Sequence, residues 1–351
     1  MVTEVKTNSA FAPVRLPWLA LRREVAIEPN LHLVDSHHHL WDRAECPYLL
    51  PDFLSDVGGG HSVRDSVFVE CRSHYRRDGE RTTRSLGETE FAAAVGEESD
   101  KSPLPISVCA GIVGYVDLQA LGDGVAPLLD KHMAAARGRF RGIRNLSATP
   151  ERTSTTPSAH QPPGLLGSKG FREGFAHLAS RSLTFDAWMF HTQLTELADL
   201  ANSFPGTTIV LNHAGGPRGI GAYAERPKEA FEEWRRAIQE ISSHSNVYLK
   251  LGGLGMPHCG FGFHEQPMPP SSEDLAAAWR PLIETCVEKF GPTRCMFESN
   301  FPVDKASYSY TVLWNAFKRI TAGYSTNERH GLFFKTASTI YRLNASTIGA
   351  A

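Results

Sequence analysis

The chain lacks an excess of either charge: 36 Lys and Arg against 38 Asp and Glu leave a formal net charge of −2 over 351 residues. No global field therefore draws it to nucleic acid or to an anionic membrane surface. It also lacks any apolar run near the roughly 18–20 residues that span a bilayer. Residues 1–30 are interrupted by Glu4, Lys6, Arg15, Arg22, Arg23, Glu24 and Glu28, so they do not read as a signal peptide. The six cysteines form no C-x-x-C pair, and Cys71, Cys109 and Cys295 lie in apolar runs where a free thiol is a small core hydrophobe. A reduced, cytoplasmic protein is the expectation. No G-x-G-x-x-G or P-loop follows an apolar run, which removes the main support for a nucleotide-binding fold.

What is present is an ordinary globular composition, 41% hydrophobic and 21% charged, enough to bury a large core. Short apolar, β-branched runs recur at 32–37, 66–71, 105–116, 140–146, 183–190, 207–213, 247–252 and 294–299. Most are near-continuous rather than alternating, as parallel strands covered on both faces are. Helical spacing of apolar residues marks 125–137, 171–180, 193–204, 228–242, 273–290, 307–320 and 326–343. Strands alternating with helices predict a single (β/α)8 TIM barrel over 31–345, behind an N-terminal extension at 1–30. A doubly wound open sheet is the alternative. Residues 72–101 read as a long polar insertion after the second strand, and 149–169 as a long loop after the fourth. Both would sit at the strand C-termini, the functional face of a barrel.

The most specific motif is Asp35-Ser36-His37-His38-His39 at the end of the first strand. Alternation would put Asp35, His37 and His39 on one face and His38 on the other. Two imidazoles at i and i+2 can ligate one zinc or manganese ion.

This motif (DSHHHLWD), followed by FRGIRNL, LNHAGGP and FESNFPVDK in that order, resembles the amidohydrolase superfamily. The match is closer to the branch of 2-pyrone-4,6-dicarboxylate lactonase and the sugar-acid lactonases. The resemblance implies a hydrolytic site built from strand ends. It is compatible with one divalent metal and equally with metal-free catalysis, since the branch contains both. It implies a polarising or proton-handling role for His213 and a third metal ligand at His191. It also implies that an arginine of the fourth strand holds an acidic substrate. Arg141 and Arg144 are the candidates, with Arg144 preferred because it lies nearer the strand end.

One position departs from the pattern. The family usually ends its eighth strand with an aspartate that is both base and metal ligand, and this chain has Asn300. An amide cannot take a proton from water. Glu298, Asp304 and His213 are the groups left to do so, with Asn300 orienting water or substrate. Glu70 and Lys250 are charged residues inside apolar runs, either paired with each other or, for Lys250, facing a substrate carboxylate. Trp41 would supply an apolar wall. The reading is a lactone hydrolase acting on a small carboxylate-bearing molecule. A decarboxylase or C–C hydrolase and a silent ligand-binding member are the alternatives. The apolar segment 11–21 calls for a covering surface, on the barrel or in a homo-oligomer.

Overall fold

The computed structural model describes residues 12–148 and 163–343. The expected loop at 149–169 lies mostly outside the described residues. Eight parallel strands follow in spatial order β1 to β8: β1 His32–His38, β2 Ser62–Val69, β3 Ser107–Gly114, β4 Phe140–Leu146, β5 Thr184–Trp188, β6 Ile209–Leu211, β7 Val247–Leu251 and β8 Cys295–Phe297. The last strand returns to the first through the residues that follow it. His39 N–H donates to the Phe301 carbonyl at 2.7 Å, and Asn300 N–H to the His37 carbonyl at 2.9 Å. The arrangement is a (β/α)8 barrel, with helices packed on its outer face.

Half of the residues 72–101, expected as an insertion, are the barrel's own second helix, Leu86–Asp100. Its buried face includes Thr89, Ala92, Ala93 and Gly96 as well as Leu86 and Val95. Small side chains let it lie close to the sheet but give little hydrophobic periodicity to read. By contrast, Ser272–Phe290 starts and stops where its sequence says it should. Ser271 and Asp274 form a reciprocal cap, and Gly291 ends it at φ 79°.

The large core fills the space between strands and helices. A second, inner cluster joins Val34, Val67, Val113, Val210 and Met296 to Phe334, Tyr341 and Leu343. The C-terminal segment thus plugs the barrel from below. Among the described residues, no helix is long and apolar enough to cross a membrane.

Candidate active site at the C-terminal end of the barrel

Simple alternation does not hold along β1, because its pairing with β2 shifts between Asp35 and His38. Asp35 consequently does not join the histidines. Its carboxylate accepts from Ser299 N–H at 2.9 Å and from the Tyr310 hydroxyl of an outer helix at 3.0 Å. His38 stacks on Phe53, with ring centroids 4.2 Å apart, in the same outer layer. His37 and His39 do converge, with their Nε2 atoms 3.2 Å apart. His39 Nδ1–H donates to the Val69 carbonyl at 2.7 Å, so its Nε2 carries the lone pair.

His213 ends β6 in a left-handed turn: His213, Ala214, Gly215 and Gly216 all have positive φ. Such backbone is strained for the first two residues and is held in place by its neighbours. Glu298, from the end of β8, supplies much of that hold. Its Oε1 accepts from His213 Nδ1–H at 2.8 Å and from His213 N–H at 3.1 Å. Its Oε2 lies 2.9 Å from His37 Nδ1, at ion-pair distance though out of line for a good hydrogen bond. One fully buried carboxylate therefore bridges two imidazoles. The His37 and His213 rings lie 4.7 Å apart.

Beneath the histidines lie two buried ion pairs, and their pairing differs from the sequence expectation. Glu70 binds Arg144 rather than Lys250, through Nε at 2.8 Å and through NH2 to its own carbonyl. Lys250 binds Asp186 at 2.8 Å, and Asp186 also accepts from the Tyr341 hydroxyl and from Asn212. Both cations border His37. Arg144 NH1 is 3.3 Å from its Nε2, and Lys250 Nζ is 3.5 Å from its Nδ1. Lys250 is thus buried support under His37 and does not line an open mouth. Arg144 is buried beside the histidines, with three of its five N–H groups directed at Glu70 and His37.

The remaining candidates separate. Asn300 donates to Asp304 at 2.9 Å, and Asp304 also accepts from Gly255 N–H at 3.0 Å and from the Tyr308 hydroxyl. Asp304 is a buried clamp between loops, its carboxyl pushed up to about 7 by burial. Trp41 backs His39, with rings stacked at 6.0 Å. His191 is not brought to the cluster: its Nδ1 is 3.3 Å from the Gly216 carbonyl and its ring packs against Tyr223. The turn at His191–Gln193 carries it past the strand end. Arg141 stands near the N-terminal end of β4, its guanidinium on the Gly138 and Phe140 carbonyls, far along the strand from Arg144.

Two wall residues escaped the sequence reading. Trp188, at the end of β5, meets His213 edge-on at 4.9 Å, and His258 lies 5.3 Å from Trp188. The position of Trp188 at a strand end was a usable signal. His258 lies in a glycine-rich loop and offered none. Asp186, a charge inside an apolar run, carried the same signal as Glu70 and Lys250.

Electrostatically, Arg144–Glu70 and Lys250–Asp186 cancel, leaving Glu298 as a net negative charge among imidazoles. Burial, and then the neighbouring cations, hold His37 and His39 well below the usual histidine range, so both are neutral. A proton on His37 Nδ1, beside Glu298, leaves both Nε2 lone pairs facing each other at 3.2 Å. That is the spacing of two ligands about 2.0–2.1 Å from one zinc ion. His37, His213 and Glu298 also place ligand atoms within 4.8 Å of one another. The donor set fits a single divalent ion. Glu298 stands on the Nδ1 side of His37 and holds His213, so it is not placed as the strand-end metal carboxylate that Asn300 replaces.

A closed barrel with neutral imidazoles and a buried carboxylate gathered at its C-terminal end is a hydrolase scaffold. The amidohydrolase family model matches residues 34–343, and the chain belongs to that family. It is 33% identical over 336 residues to an uncharacterised protein of Sinorhizobium fredii, covering 90% of this chain and 99% of that one. It is 26% identical over 329 residues to L-fucono-1,5-lactonase of Burkholderia multivorans, covering 88% and 96% respectively. Among solved structures, a zinc-bound amidohydrolase from Burkholderia multivorans superposes with TM-score 0.68 at 24% identity, over 89% of this chain and all of that one.

Proposed function

We propose that this hydrolase opens the ring of a lactone of a small organic acid by attack of water, with His213 as the proton acceptor. The observation that carries the proposal is the bridging of His213 and His37 by Glu298. With Nδ1–H spent on Glu298, the His213 ring is fixed in one tautomer and its Nε2 lone pair is available to water. Glu298 then stabilises the imidazolium that forms, and the same proton passes to the leaving alkoxide. Asp304 is committed to three donors, so it does not compete as base. Arg144, its charge balanced by Glu70, donates its remaining N–H groups as hydrogen bonds to a substrate carboxylate. The similarity to L-fucono-1,5-lactonase supports the lactone class.

If a divalent ion such as zinc is bound, His37 and His39 would hold it through their Nε2 atoms, and it would polarise the carbonyl and acidify water. A panel of five- and six-membered lactones, followed by proton release, tests the reading. Wild-type protein should turn over at least one of them, and His213→Asn should lower kcat by about 100-fold or more. Near-normal turnover by His213→Asn would remove His213 from the chemistry. Release of carbon dioxide from an aromatic acid, with no lactone opened, would make the protein a decarboxylase.

A further inference from the structure

The arm before β1 lies outside the residues that match the family model. It nevertheless runs alongside the loop 252–271, which joins β7 to the helix Ser272–Phe290 and forms one wall of the site. The root of that loop is fixed from within the barrel. Gly255 N–H donates to Asp304 and the Ser307 hydroxyl to the Gly255 carbonyl at 2.7 Å. Its middle is fixed by Gly219 N–H, which donates to the His258 carbonyl at 2.9 Å. Main-chain bonds in its distal limb are local turns, Glu265 N–H to Gly262 and Gln266 N–H to Phe263.

Phe263 of the distal limb packs on Trp279 at 6.2 Å, and side-chain hydrogen bonds to the limb from the rest of the described molecule come from the arm, in register. The Arg15 guanidinium donates to the His264 carbonyl, Trp18 Nε1–H to that of Gln266 at 2.9 Å, and Arg22 Nε–H to that of Pro269 at 3.3 Å. Glu24 closes the series by accepting from Ser272 N–H at 2.8 Å. Trp18 is 8% exposed, with the Arg15 guanidinium over its ring at 4.3 Å. Side chains aimed at successive main-chain carbonyls hold the path of a loop whatever its own sequence is.

We infer that Arg15, Trp18 and Arg22 are positioning residues for the active site: the arm holds the distal limb of the loop whose root sets Gly253 against His213 and whose middle sets His258 beside Trp188. The kinetic part of this inference rests on the lactonase reading; the structural part does not. Full-length Arg15→Ala/Arg22→Ala and Trp18→Phe, the latter keeping the buried ring, test it. Hydrogen exchange of amides 256–270 should quicken about tenfold in the double variant and less in Trp18→Phe. KM for the best lactone should rise at least about threefold with kcat within about twofold, and Arg15→Lys should restore much of a single Arg15→Ala loss.

Lys318→Met is the stability control. Its amine binds the Ile27 and Glu28 carbonyls at the far end of the arm. It should lower Tm with exchange at 256–270 unchanged. If the arm variants lower Tm as the control does but leave loop exchange or KM unchanged, the arm is only a structural strap and the inference fails. If wild type opens no lactone, the lactonase reading fails, and the exchange data still decide whether the arm holds the loop.

Discussion

Replacing Glu298 with glutamine keeps the shape of the side chain but removes the charge that faces His213 Nδ1–H at 2.8 Å and His37 Nδ1 at 2.9 Å. An amide can accept from one imidazole only by turning its NH2 toward the other. The expected outcome is a fall in kcat of about 100-fold with KM changed much less, measured on whichever lactone wild type prefers. Asp304→Asn provides the contrast. Asp304 joins Gly255, Tyr308 and Asn300 and does not reach the histidines, so its loss should lower Tm while kcat stays within about tenfold. The sequence disclosed His37, His39 and His213 because the motif spacing and strand ends are local facts. It did not disclose the partners of Glu70 and Lys250. Which strands face one another inside a barrel depends on closure, and both residues found a counter-charge on another strand.

Strand ends and the loops that leave them carry most of the specificity of the site. Gly253, at φ 66°, lies against the His213 imidazole, and a Cβ built on it would stand 2.4 Å from His213 Nδ1. Gly253→Ala should therefore displace His213 or the loop and lower kcat about tenfold or more, with a Tm loss of a few degrees, read by kinetics and thermal melting. All eight strands were legible, since parallel strands buried on both faces give continuous apolar runs. β2 was placed too late, at 66–71, because Arg64 and Asp65 break its apolar pattern. The second helix was missed because its packing surface is built from Ala, Gly and Thr. His191 does not join the other histidines because a short turn, invisible to periodicity, sets its ring against Tyr223 and the Gly216 carbonyl.

Buried titratable groups across the molecule set its response to pH. Burial lowers His38, His132 and His258 to about 3 and His61 to about 4, and holds His37 and His39 well below the usual range. These six stay neutral in the folded chain while the unfolded chain protonates them as pH falls through about 6.5, so they remove stability on acidification. Four carboxyls oppose them. Burial raises Asp35 and Asp65 to about 6, Asp304 to about 7 and Glu88 to about 8, and their stabilising effect fades as pH rises through those values. The histidines outnumber the carboxyls, so unfolding below about pH 6.5 should take up protons on balance. Stability should peak near neutrality and fall toward pH 5, as thermal melts at a series of pH values would show. A Tm that rose steadily from pH 7 to 5 would contradict these assignments.

The Tyr341 hydroxyl reaches into the barrel and bonds to Asp186, which in turn holds Lys250 under His37. In biosynthetic terms, the ribosome completes all eight strands before it makes the residue that finishes their interior. A message cut short after β8 would yield a barrel whose Val34, Val67 and Met296 meet water instead of Phe334, Tyr341 and Leu343. Such a product exposes apolar surface at the bottom and leaves Asp186 short of a donor. It would be cleared by chaperones and proteases rather than persist as a weak enzyme.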